Sequence, residues 1–312
     1  MRILVLALSF YCTSLFAAAV TSEEAANLFK QRDSTPAGIK ATDDSIDAYE
    51  NLLGSLKGEA LAEAVDRLGR LAFYRGEMLG KNSPSNQTAG TQLTTPERAK
   101  IFNRCRTHAS KIKLDVNGNL LDVADLDFSK ISDDYRTPFT FWYYLCTALW
   151  FKDANAGPTE LKVLRNFFNA VVDDKSLKIK DIAVNANYLA GGLQRALAGS
   201  FANGMSIWVN PGLPNQIKAL ELIDLAIKSP SADDMSGMTD PVTGDSYFSN
   251  YRVKIDILMN SEKKTEAKDL AQTTIAKIEN LIAKKELPVG HEAETRQDLV
   301  LLKDQVSKFN LK

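Results

Sequence analysis

Apolar positions in this chain recur at three- and four-residue spacing far more often than they alternate, so the pattern predicts helices. Ser45–Leu53 carries Ile46, Tyr49, Leu52 and Leu53 on one face, with Asp43 and Asp44 as the expected capping residues. Leu61–Leu79 repeats the pattern with Leu61, Val65, Leu68, Leu71 and Ala72. The segment from Lys81 to Thr95 is rich in Ser, Asn, Gln and Thr and reads as a loop. Pro96 then opens a helix at its first position, where its missing N–H costs nothing; that helix carries Ile101, Phe102 and Cys105 towards Ile112. Further helices are predicted at Pro138–Lys152, Thr159–Val172, Asp181–Ala202, Asn215–Ile227, Tyr247–Met259, Lys264–Lys285 and Glu292–Phe309. One strand signal stands out, Lys113–Leu121 with a turn at Asn117-Gly118; a lone hairpin is marginal and would decorate a helical body.

The helices predict pairs. Leu197-Ala198-Gly199-Ser200-Phe201 has the apolar, small and aromatic spacing of the first helix of a tetratricopeptide repeat, and Ala219, Ile223, Ala226 and Pro230 suit the second. Leu258 and Ala267 mark a following unit, nine positions apart as in the repeat template. The period is stretched. Ala219 and Ala267 are 48 apart, and the polar stretch Ser231–Asp245 accounts for the excess. Within the first unit the connection is also long, holding Trp208, Pro211, Gly212 and Pro214. Arg67-Leu68-Gly69 with Pro96–Cys105 suggests an earlier pair. The expected fold is all-α: antiparallel helix pairs stacked as a tetratricopeptide-like, right-handed solenoid with long inter-helix loops. It would occupy residues 20–312, with its clearest units over 185–285.

The N-terminus changes the picture. Arg2, an apolar run from Ile3 to Phe16 and Ala17-Ala18-Ala19 form the three-part pattern of a secretory signal peptide over residues 1–19, with Tyr11 before Cys12 arguing against lipidation there. A periplasmic or secreted protein is expected. About 290 residues then remain, enough for one elongated or two compact domains. The 38 basic and 39 acidic residues give no cationic surplus to attract nucleic acid or an anionic membrane, and no later stretch suits a bilayer span. In an oxidising compartment Cys105 and Cys146 invite a disulfide, although both lie in apolar helical patterns and two buried thiols are the alternative.

The order of segments resembles the T component of tripartite ATP-independent periplasmic (TRAP) transporters, an exported tetratricopeptide-like protein. The resemblance is carried by Phe141-Trp142-Tyr143-Tyr144 through Trp150, by Gly191-Gly192-Leu193-Gln194-Arg195-Ala196-Leu197-Ala198, by the loop with Trp208 and Pro211, and by Lys218-Ala219-Leu220. It spans residues 40–285 and rests on helix-packing positions. The chain departs from the family in lacking a lipobox and in carrying Cys146 and Ala198 where small glycine-like residues are expected. The resemblance implies a scaffold without enzymatic activity or cofactor. Its partner would be a periplasmic solute-binding protein, or it would hold a small ligand; self-association stays open.

Candidate chemistry is sparse. His108 and His291 lack the spacing of a metal pair, and a surface or helix-end role is expected for each. Cys105 and His108 share a helix face, but a disulfide or core thiol is the stronger expectation than a nucleophile. Asp115-Val116-Asn117-Gly118-Asn119 imitates half of a calcium loop, yet Leu120 and Leu126 occupy positions a calcium loop needs. Asp240–Asp245 reads as a turn. Trp142, Cys146 and Leu149 share a stripe suited to core packing, whereas Tyr143, Trp150 and Phe151 fall partly off it and would line a groove. Gly191-Gly192 suggests a helix start or a close helix crossing rather than a phosphate loop. The residues expected to bind a ligand or partner are Trp142, Tyr143, Trp150, Arg195 and Trp208. The rival reading is a hydrolase using carboxylates in an inter-helix groove.

Overall fold

The computed structural model describes residues 21–80, 92–112, 133–154, 157–173, 180, 188–202, 215–230 and 242–309. Among them every regular element is helical. The candidate hairpin, the calcium-like run, Trp208 and the expected leader lie outside the described residues.

Eleven α-helices are described, and their starts follow local chemistry. α1 (Ser22–Lys30) is opened by Thr21, whose hydroxyl accepts from Glu24 N while the Glu24 carboxylate accepts from Thr21 N. α2 (Pro36–Leu52) is capped by Thr35, so Asp43 and Asp44 lie inside the helix and are not its cap. α3 (Gly58–Phe73) runs into a π-turn, Tyr74–Leu79. α4 (Thr95–Ala109) begins with a second reciprocal cap, Thr94 with Glu97, and ends in a 3-10 turn at Ser110–Ile112. α5 (Asp133–Ala154) and α6 (Pro158–Val171) follow. α7 is Tyr188–Ala202. α8 (Gln216–Ile227) is capped by Asn215, which accepts from Lys218 N. α9 (Ser249–Asn260), α10 (Lys264–Lys284) and α11 (Glu292–Phe309) complete the chain.

Neighbours in sequence are neighbours in space. The most extensive pairings are α4 with α5 and α7 with α8, followed by α9 with α10 and α10 with α11. α3 lies against both α4 and α5, and α9 against α7 and α8. α7 meets α8 and α9 meets α10, and Leu197, Ala198, Phe201, Ala219, Ile223, Ala226, Leu258 and Ala267 are all fully buried. Small residues permit the close crossings. A Cβ on Gly191 would stand 2.6 Å from Ala226 Cα, and one on Gly69 would stand 2.1 Å from the Trp142 ring.

Burial of apolar side chains drives this packing. The main core joins α1 to α8, with Phe29, Leu68, Leu71, Phe139, Trp142, Phe168, Phe201 and Ile223 among its members. A second core, Phe248, Ile255, Leu258, Ala267, Ala271, Ile278 and Leu302, holds α9, α10 and α11 together. α11 also returns to the N-terminal half. Its Leu301 packs with Ile39, Tyr74, Met78 and Leu79. The π-turn lets carbonyls leave the helical ladder: Met78 O accepts from Gln297 Nε2 at 3.0 Å, and Gly76 O from Arg98 Nε at 3.0 Å.

Cys105 on α4 and Cys146 on α5 form a disulfide with a Cα separation of 6.0 Å, which decides between the two readings left open by the sequence. It pins the α4–α5 pair and removes the thiol from any Cys105/His108 nucleophile.

Candidate functional site

The expected site residues do not converge on one surface. Trp142 is core: its ring packs over Gly69, and its indole N–H donates to Asp66 Oδ1 at 2.8 Å and to Tyr188 Oη at 3.0 Å. Tyr188 Oη in turn donates to Asp66 Oδ1. Tyr143 does not line a groove, because it is buried and stacked on Phe139 at 5.3 Å. Trp150 is half-buried two helical turns further on, with the Arg106 guanidinium 3.6 Å above its ring. Trp208 lies outside the described residues.

Arg195 alone leads into a concentration of buried polar groups. It lies on α7 just after a backbone anomaly, where Leu189 (φ 47°), Ala190 (φ 52°) and Gly191 (φ 78°) are left-handed in succession. Two non-glycine residues in that region cost roughly 1–2 kcal/mol each, so the turn needs external support. Arg195 Nη1 donates to Leu189 O at 3.2 Å and to Ala190 O at 3.4 Å. It also donates to Asn250 Oδ1 at 2.8 Å, while Asn250 Nδ2 donates to Ala190 O, Ala226 O and Gly244 O. Burial disfavours the charged form of this guanidinium and lowers its pKa.

Around Arg195 stand residues from distant parts of the chain. Its Cζ lies 4.4 Å from the Tyr247 ring centroid, and that ring meets His291 edge-on at 5.6 Å. His291 Nδ1 lies 3.3 Å from Arg70 Nη2. A guanidinium can only donate, so Nδ1 carries the lone pair and Nε2 the proton. Burial and then the Arg70 charge push this imidazole down to about 3, so it is neutral at physiological pH. Of the two roles expected, His291 takes the helix-end one, directly before α11, and it is buried there because α11 is docked inward. His108 is also no surface group: its Nε2 lies 2.6 Å from Glu50 Oε1, in a part-buried cluster with Arg104.

Two carboxylates on α11 share this interior. Burial alone would raise Glu294, but Arg32 and Arg70 outweigh it and hold the group down at about 2. Asp298, one turn later, accepts from Ser249 Oγ at 3.0 and 2.9 Å and pairs with Arg252 Nε at 3.2 Å. Burial wins there, and its carboxyl is raised to about 6. The chain matches no family model, no curated protein and no solved structure. The arrangement must therefore be read from its own chemistry.

Among the described residues no group of three or more His, Cys, Asp or Glu side chains is placed to hold a metal ion. No described helix is long and apolar enough to cross a membrane. What the interior does offer is hydrogen-bond donors beside a guanidinium. Tyr247, Asn250, Glu294 and Asp298 escaped the sequence reading, and His291 was not joined to them. One signal for part of the set exists: Glu294, Gln297, Asp298 and Leu301 follow the spacing of a core stripe, with polar residues at three of its four positions. All four are buried, so an apolar-periodicity search passes over a stripe that is nonetheless interior.

Proposed function

We propose that this protein is an exported, non-enzymatic helical-repeat scaffold that holds a small ligand in the polar interior where α7, α9 and α11 meet, in the manner of a transporter accessory component. The single observation that carries the reading is the buried Arg195–Tyr247–His291 stack. It keeps a guanidinium nine-tenths buried with no carboxylate within 4.0 Å of it among the described residues. Polar groups buried at such cost are characteristic of binding sites. The disulfide supports the periplasmic or secreted location, since such bonds persist in oxidising compartments. The pairing of α7 with α8 and of α9 with α10 supports the stacked tetratricopeptide-like arrangement.

A hydrolase remains the rival because Glu294 and Asp298 sit one turn apart with pKa values driven in opposite directions, a pattern found in acid–base pairs. We favour binding because both carboxylates already spend their oxygens on arginine and serine partners. The test is native mass spectrometry of protein taken from its own envelope fraction, beside a pull-down. A co-purifying small molecule together with a solute-binding protein supports the scaffold reading. Turnover of esters, amides or glycosides that disappears in Asp298→Asn would replace it with the hydrolase.

A further inference from the structure

We propose that Arg195, Tyr247 and His291 form a subsite for the oxyanion of a small ligand, a carboxylate or a phosphate group. The inference deepens the binding reading and rests on it.

The three side chains come from α7, from the turn before α9 and from the residue preceding α11. Each retains only 6–9% of its surface. Their hydrogen-bonding capacity is unevenly used. Arg195 spends Nη1 on two carbonyls and on Asn250, while Nε and Nη2 meet no acceptor among the described residues. Arg70 occupies the lone pair of His291 Nδ1, leaving the Nε2–H without an acceptor among those residues. The Tyr247 hydroxyl has no partner among them either. The stack thus presents an arginine fork edge, an imidazole N–H and a phenol O–H, all able to donate.

Donors in this set call for an acceptor, and the charge calls for an anion. Water would satisfy the hydrogen bonds but would bring no charge to a buried guanidinium that feels only the more distant Asp298 carboxylate, itself paired with Arg252. Protein carboxylates do not fill the role. Glu294 is held by Arg32 at 2.7 Å and by Arg70 at 3.4 Å, and Asp298 by Ser249 and Arg252. A carboxylate or phosphate oxygen pair matches the planar fork of arginine. Arg195 is also pre-positioned, because the left-handed turn and Asn250 hold its other nitrogen.

The experiment uses the full exported chain, titrated with sodium acetate and separately with sodium phosphate, sodium chloride holding the ionic strength constant. Long-range proton–nitrogen NMR reads the two imidazoles, with His291→Gln assigning them. A saturable shift of the His291 Nε2 signal, with His108 unmoved, is expected. A response to acetate identifies a carboxylate as the ligand group, and a response to phosphate alone identifies a phosphate. Tyr247→Phe keeps the ring stack and removes one donor to the anion, and should weaken binding about tenfold. Arg195→Gln should abolish the response, but it also loosens the left-handed turn, so Tyr247→Phe is the deciding variant. If neither anion shifts His291 beyond chloride, or Tyr247→Phe binds as well as the parent, the subsite is overturned. A ligand still co-purifying from the envelope in that case would leave the scaffold reading standing with a different contact chemistry.

Discussion

Arg32 and Glu294, 262 positions apart, form a buried ion pair in which Arg32 Nη2 donates to both carboxylate oxygens at 2.7 Å. The pair ties the residues just after α1 to the first turn of α11. Arg32 and Arg70 also both donate to Gly290 O, at 2.8 and 3.0 Å. The last helix is therefore docked on the first part of the chain by charge as well as by Leu301.

Breaking this pair should be costly, because the partner left behind is a buried charge. Glu294→Gln is expected to lower stability by about 3–5 kcal/mol in a urea melt. Arg32→Met with Glu294→Leu should cost less than the two single changes added together. A loss below about 1 kcal/mol for Glu294→Gln would mean that apolar contacts alone dock α11.

Acidification should weaken the fold through His291. Its pKa falls from 6.5 in the unfolded chain to about 3 in the folded one, so its contribution is complete above 6.5 and is lost as the pH falls towards 3. Glu294 acts in the same sense between 4.5 and about 2. Asp298, raised from 3.8 to about 6, works oppositely: the folded state takes up its proton first and gains stability as the pH falls through 6. Urea melts from pH 7 to pH 4.5 should show a shallower loss for His291→Gln than for the parent, and a steeper loss for Asp298→Asn. Parallel curves for all three would remove this account.

The disulfide closes a loop of 41 residues, for which chain entropy gives about 4 kcal/mol. Thiol titration of the denatured, unreduced chain from residue 20 onward should detect no free thiol. Reductant should shift the urea midpoint downward, and an unchanged midpoint would show that α4 and α5 hold together without the bond.

Glycine substitutions should split by environment. Gly69→Ala drives a Cβ into the Trp142 ring and should cost about 1–3 kcal/mol or more. Gly199→Ala places a Cβ with no described atom within 4 Å on α7 and should stabilise by up to about 1 kcal/mol. Thermal melts of the two variants side by side would expose a misplaced α3–α5 crossing if Gly69→Ala were neutral.

The two described tryptophans should also differ. Trp142→Ala removes a core ring and the indole donor to Asp66, and is expected to cost about 3–5 kcal/mol. Trp150→Ala gives up a half-buried ring and its Arg106 contact, worth about 1 kcal/mol at such a site. Equal losses in denaturant would mean that Trp150 is core as well.

Several elements were legible because their signals are local. The helix pairs over 188–284 follow from three- and four-residue spacing, and the close α7–α8 crossing from Gly191 and Ala226. α1 was missed although Thr21 and Glu24 spell a reciprocal cap, because its four-residue cue follows directly on the apolar run read as a leader. Asp43 and Asp44 imitated a cap inside α2, whose true start is Thr35 and Pro36. Trp142 was legible as core by its stripe, but Tyr143 was not, since it falls at the edge of that stripe and is buried there against Phe139, one turn before it.

By itself the sequence determined a helical body over the described residues, the main helix contacts and a cysteine pair able to bond. Each of these depends on residues within a few turns of one another or on composition. Tertiary structure alone decided that Cys105 meets Cys146, that α11 docks on Arg32 and Arg70, and that Arg195, Tyr247 and His291 stack. Those contacts join positions 41 to 262 residues apart. A buried polar residue has no periodic signature that sets it apart from an exposed one. Its partner is fixed only when the packed helices exclude water and leave each buried charge to find a counterpart or pay the full cost of desolvation.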